Sequence, residues 1–350
     1  MKRLVLVLVA AAAVLPSAAS SAACSPLNCA ASQFTLAQGT LLGFRTSAHA
    51  PVTIVDLATG EARFALPSGV TGGRFLVHQA GRTLTWYDAT TGQAVDAVTL
   101  AHRLALRGVS QDGVRAVVRR LVSGTTHFTV VSRDRQRTIV VPGRNWDFDG
   151  LRGDNLFLIK YLPGGGYQVR LARVGAARLE RAVVKDPRES GTIWGSPYSR
   201  LASADGRYLF TLYIGSNGGS MVHELDLLTA KARCIDLPGT GDYGSATSYA
   251  LVLSTDQRTL WALSPGYGRA VAIDVGTRAV KDAFGFTIPA WSLGGGTSAA
   301  LAPDGRHVAL SDSGHTVAVI DVAKHAVAQS EQAHAVALGY APDGRLWKLT

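Results

Sequence analysis

Apolar and polar positions alternate along most of this chain in short runs, and the runs end on a recurring set of residues. Val52-Thr-Ile-Val-Asp-Leu-Ala-Thr-Gly60 and Leu84-Thr-Trp-Tyr-Asp-Ala-Thr-Thr-Gly92 are two copies of one phrase. It returns as Val222-His-Glu-Leu-Asp-Leu-Leu-Thr229, Ala270-Val-Ala-Ile-Asp-Val-Gly-Thr277 and Val317-Ala-Val-Ile-Asp-Val-Ala-Lys324. Each reads as a β-branched strand ending in Asp, a tight turn, and a second strand. No segment carries the 3.6-residue period of an amphipathic helix.

A second marker accompanies the first. Ala202-Ser-Ala-Asp-Gly-Arg207, Ala302-Pro-Asp-Gly-Arg306 and Ala341-Pro-Asp-Gly-Arg345 are turns between apolar runs, and Leu253-Ser-Thr-Asp-Gln-Arg258 is a variant. Asp-Gly is a strong hairpin signal, because glycine adopts positive φ without steric cost. These turns join the first and second strands of a repeat; the Asp-x-x-Thr-Gly turns join its third and fourth. A strand-only repeat of this length predicts stacked four-stranded sheets, an all-β propeller. Turns of the first-to-second kind fall near Gly81, Gly113, Gly153, Gly206, Gln257, Gly305 and Gly344, which predicts seven blades. The last turn has no Asp hairpin after it and the first Asp hairpin has no such turn before it. The C-terminal strands are therefore expected to share a blade with residues 51–66 and close the ring. Gly39-Thr-Leu-Leu-Gly-Phe44 reads as one further strand, so eight blades or an added strand is the alternative.

The Pro-Asp-Gly-Arg turn followed by Val-x-Val-Ile-Asp resembles the YVTN and WD40-like propeller repeats of exported bacterial proteins. The resemblance runs over most of residues 39–350 and weakens over 120–185, where the Asp is lost. It implies a rigid ring used for binding, although some relatives are enzymes.

The N-terminus changes the picture of compartment. Met1-Lys-Arg precedes an unbroken apolar run from Leu4 to Leu15 and a small-residue stretch ending at Cys24. This reads as a signal peptide over residues 1–23, followed by a cysteine-containing segment over 24–38. The run is shorter than the roughly 20 residues a membrane span requires, so no transmembrane anchor is expected. The protein is expected outside the cytoplasm, secreted or at the cell surface. Cys24 and Cys29 are expected to pair as a disulfide, leaving Cys234 free. In the alternative, Cys24 carries lipid and Cys29 pairs with Cys234.

Only 17% of residues are charged and nearly half are apolar, which excludes a disordered chain. The net charge is +10 at pH 7. Arg115, Arg119, Arg120, Arg133, Arg135 and Arg137 form the core of a basic stretch. Either these arginines cover the solvated faces of exposed strands, or they form an adhesion patch for anionic wall polymer. Export argues against nucleic acid as the partner.

Candidate chemistry lies in the loops between repeats. Trp146, Trp194, Tyr243 and Trp291 are spaced by 48, 49 and 48 residues and are expected at equivalent places in successive blades. Asn145, Asp147 and Asp242 accompany them. Loops from fourth to first strands gather at one mouth of a propeller, joined by second-to-third loops carrying Tyr161, Tyr213, Tyr267 and His315. Two readings stand: the aromatics wedge blade against blade, or they offer flat faces to a ligand. Catalytic arrangements are weak. His223 and Glu224 are neighbours in a strand and point to opposite faces. Neither Gly-x-Ser-x-Gly nor His-Glu-x-x-His occurs, and Asp147-x-Asp149 alone is a poor cation motif. The expectation is a monomeric, cofactor-free, metal-free binding or scaffold module for a protein, peptide or glycan of the cell envelope. A lactonase-like hydrolase using Asp147, Asp242 and a divalent metal is the enzymatic alternative.

Overall fold

Seven four-stranded antiparallel blades form a ring: the protein is a seven-bladed β-propeller. The computed structural model describes residues 33–36, 39–47, 49–163, 166–214, 219–240, 249–289, 291, 297–312 and 315–350. Blades one to seven span residues 33–66, 70–99, 105–142, 146–184, 196–240, 250–285 and 298–332. In each, the four strands pair in sequence order, first to fourth.

The two sequence markers do their work through local hydrogen bonds. At the end of a third strand, the Asp226 carboxylate accepts the amides of Leu228 (2.9 Å) and Thr229 (3.0 Å). Asp321 does the same for Ala323 and Lys324, and Asp88 for Thr90. A carboxylate that satisfies its own turn's amides stops the strand and starts the hairpin. In the first-to-second turn of blade five, Asp205 accepts the Ser203 hydroxyl (2.6 Å) and the Arg207 amide (2.9 Å). Gly206 supplies the positive φ, 65°. Blade six puts Gln257 at φ 61° instead. That side chain accepts the Ala204 amide of blade five at 2.8 Å, an inter-blade bond glycine cannot make.

The two markers also meet. The turn arginine pairs with the strand-end aspartate of its own blade in Arg74–Asp88 (2.6 Å), Arg207–Asp226 (2.8 Å) and Arg306–Asp321 (2.8 Å). One end of the propeller, which carries both turn types, is thus stitched within blades. Between blades lie apolar clusters. Phe128, Phe157 and Phe210 are fully buried in three of them, each contributing on the order of 1.5–3 kcal/mol.

Ring closure differs from the sequence expectation. Blade one is complete without the C-terminus: Gln33–Leu36 and Leu41–Phe44 pair ahead of Val52–Asp56 and Ala62–Leu66. The strand predicted near Gly39–Phe44 is thus its second strand, and the propeller begins at Gln33, within the stretch set apart as 24–38. Ala337–Tyr340 and Leu346–Leu349 pair only with each other, as a separate two-stranded sheet. It sits between blades seven and one. On one side the Ser298 and Ser311 hydroxyls donate to Val336 O (2.9 Å) and Ala335 O (2.6 Å). On the other, the Trp347 indole donates to Leu57 O at 2.7 Å. Gln33 binds the Leu338 amide and carbonyl. The shared blade failed as an expectation because the first-to-second turn of blade one, at Gly39, carries no Asp-Gly to betray it. Likewise Gly81 lies between the second and third strands of blade two, whose first strand is the short Val70–Gly72.

Candidate functional site

The loops from fourth to first and from second to third strands share the end opposite the stitched turns. Blades three to five hold most of the predicted residues there, and the equal spacing of the aromatics conceals unequal environments.

Trp146 opens the first strand of blade four and is 3% exposed. Its ring belongs to the cluster of Val117, Phe128 and Ile139 from blade three, and its indole donates to Pro142 O at 2.7 Å. Lys160 lies 5.6 Å from the ring centroid. Trp146 is a blade wedge. The Asp147 carboxylate, 4% exposed, accepts Arg107 Nε at 2.8 Å and the Phe148 amide at 2.8 Å. Its second oxygen takes Arg107 Nη2, and Arg119 stands 3.5 Å away. Both oxygens are therefore engaged in an inter-blade ion pair. Asp149 pairs with Arg200 of blade five in the same way. Asn145 is exposed and donates to Tyr161 O, tying the two loops of blade four together.

Trp194 is different. At 56% exposure it is the sole aromatic among the exposed large apolar side chains of the described residues. Its neighbour Ile193 bridges Tyr167 through both backbone hydrogen bonds, 2.8 and 3.0 Å. Gly166, at φ 68°, leaves the room: a Cβ there would stand 2.7 Å from Ile193 O and 3.1 Å from the Trp194 ring. The segment leading to Trp194 is pinned at its start. Asp186, buried, accepts Arg188 twice (3.1 and 2.8 Å) and the Cys234 amide (3.0 Å), while Arg188 donates to Cys234 O (3.0 Å). These bonds hold the Asp186 carboxyl well below the usual carboxylate range. Neither Asp186 nor Arg188 was singled out by sequence; Asp-Pro-Arg after a strand is the only local hint.

Beside this rim runs a ladder of rings. Tyr161 meets Tyr167 edge-on at 6.3 Å, Tyr167 meets Tyr213 at 5.8 Å, and Tyr213 meets His223 at 6.3 Å. Tyr167, Tyr213 and His223 are buried and Tyr161 half-buried. Burial pushes the Tyr161 hydroxyl up to about 12 and the His223 imidazole down to about 4, so at neutral pH both are uncharged. Glu224 points the other way, to Arg278 of blade six at 2.9 Å. The adjacent pair does not converge.

Trp291 is half-buried against the core shared by blades six and seven. Tyr267 packs edge-on to Tyr249 at 5.7 Å, and His315 is exposed. Tyr243 and Asp242 lie outside the described residues, as do Cys24 and Cys29. Cys234 is a free, half-buried thiol, pushed up to about 12 by burial. The basic set is not one patch. Arg119 donates to Trp146 O at 2.7 Å and so belongs to the blade interface. Arg115 and Arg120 are half-buried, whereas Arg133, Arg135 and Arg137 are exposed on blade three. Among the described residues, no three His, Cys, Asp or Glu side chains are grouped to hold a metal. No helix among them is long and apolar enough to cross a membrane.

No family model matches the chain, and no curated protein does. Solved structures do match. The Dos1 propeller is similar over 90% of this chain and 90% of that one, with a TM-score of 0.50 and 11% identity. A hydrazine synthase from Kuenenia stuttgartiensis covers 85% and 94%, at TM-score 0.47 and 15% identity. The Cps50 (Swd1) propeller domain of Myceliophteria thermophila covers 91% and 96%, at 0.45 and 11%. The likeness is one of fold.

Proposed function

We propose that the protein is exported and works outside the cytoplasm, as a monomeric, non-catalytic binding module for a peptide or glycan strand of the cell envelope. The ligand crosses the loop end at blades four and five, and Trp194 is the face it stacks on. One observation carries this reading: an indole 56% exposed on a rim whose backbone is fixed on both sides. A rigid aromatic costs little side-chain entropy to immobilise, which is why Trp dominates binding hot spots. Tyr161 and Asn145 line the neighbouring loops of the same end and supply hydrogen-bonding groups. Export is supported by the residues 1–23 pattern and by the resemblance to exported propeller repeats.

The test is a panel of envelope glycans and peptides presented to the parent, Trp194→Ala and Trp146→Phe. Binding that survives in Trp146→Phe and disappears in Trp194→Ala is expected. Equal binding by all three proteins would remove Trp194 from the site.

A further inference from the structure

The two-stranded sheet between blades seven and one repeats the beginning of a blade. Ala341-Pro-Asp-Gly-Arg345 forms the same turn as Ala302-Pro-Asp-Gly-Arg306: Asp343 accepts the Arg345 amide (3.1 Å) as Asp304 accepts that of Arg306 (2.8 Å). In blade seven a third strand, Thr316–Asp321, lies against His307–Ser311, and its last residue pairs with Arg306. Leu346–Leu349 has no such neighbour: it is an edge strand at the second position of its sheet. Arg345, lacking a strand-end aspartate, turns instead to Asp343 (2.7 Å) and Ala58 O (3.1 Å).

The space beside it is open. A cavity of about 620 Å³ lies between the blade-seven face, with Val319, Ala328 and His307, and Tyr340 and Leu346 of the two-stranded sheet. Trp347 and Leu349 face blade one and Leu346 faces blade seven, so the sheet's side chains already follow the alternation of a full blade. An edge strand with unpaired backbone groups, flanked by a groove, is a template for strand addition. A second copy cannot fill it with its own open strand. Pairing Leu346–Leu349 with itself would drive the copy's inner strands into the place held here by Ala326–Gln332 and Ala62–Leu66.

We propose that this groove takes an extended strand of a partner protein. The strand runs antiparallel to Leu346–Leu349, its alternating β-branched residues enter the groove, and a terminal aspartate meets Arg345. The chemistry is that of Thr316–Asp321, which fills the same place one blade earlier. The inference rests on the fold and is independent of the role of Trp194.

The probe is a labelled peptide of residues 316–332 added to the full chain. Saturable binding is expected, with new amide-exchange protection over residues 346–349. Arg345→Glu, checked by thermal melt, weakens it about tenfold, the scale of one charge-assisted hydrogen bond. A peptide carrying Asp321→Arg restores binding to that variant, and Trp194→Ala leaves it unchanged. Absence of saturable binding, or binding indifferent to Arg345→Glu without protection at 346–349, overturns the proposal. Binding that appears only after residues 1–32 are deleted also overturns it, since the chain's own N-terminus would then be the occupant.

Discussion

Trp146 and Trp194 stand 48 residues apart at the entrances of consecutive blades, and the fold treats them in opposite ways. Trp146 starts its strand and drives its ring into blade three, with the indole nitrogen bonded to Pro142 O. Trp194 precedes its strand by two residues, behind a segment pinned by Asp186 and Arg188, and keeps more than half its surface in solvent. Equal spacing in a repeat therefore predicts equal position along the chain but not equal burial. Burial depends on the neighbouring blade and on where the strand begins, and a shift of one or two residues carries a side chain from the interface to the rim.

The comparison can be broken at its strongest point first. Trp146→Ala should cost about 3–5 kcal/mol, the range for emptying a buried aromatic site, measured by denaturant unfolding. A loss below about 1 kcal/mol would mean that the ring is not a wedge.

The ladder beside Trp194 gives the next largest effect, through pH. His223 titrates near 4 in the fold against an ordinary 6.5. Its neutral form is the one the fold stabilises, so that contribution is complete above pH 6.5 and is lost as pH falls toward 4. The shift corresponds to something on the order of 3 kcal/mol. Melts from pH 7 to pH 4 should show this decline, and His223→Leu should flatten part of it. An unchanged slope would place His223 in water.

Gly166→Ala comes third. At φ 68° and with Ile193 O in the way, a methyl should cost about 1–2 kcal/mol and displace the Trp194 rim. Tryptophan fluorescence should move with it. Trp194→Ala itself should change stability least, by under about 0.5 kcal/mol, as for an exposed side chain without partners to lose.

Much of the fold was legible because its signals are local. Asp226 and Asp321 bond to amides two and three residues ahead, and Gly206 and Gly305 relieve their own turns, so each can be recognised without knowing the rest of the ring. That the turn arginines reach those same aspartates, as in Arg207–Asp226, follows only once the strands are paired. The closure was not legible. It depends on Gln33 bonding Leu338 across 305 residues and on Trp347 covering Gly60, contacts with no sequence signature. The candidate site was half legible: spacing picked out Trp194 along with Trp146 and Trp291, but nothing local distinguished the exposed ring from the buried ones. Asp147 illustrates the same limit, being a plausible ligand by type and a buried partner of Arg107 in fact.

The most direct test of the account is a calorimetric titration of the strongest panel ligand into the parent and into Trp194→Ala, with a thermal melt of each. The account predicts affinity lower by tenfold or more at an unchanged melting temperature, since one stacked Trp in a binding site is worth about 2 kcal/mol. Equal affinity in the two proteins would contradict it and leave Trp194 an exposed ring without a ligand.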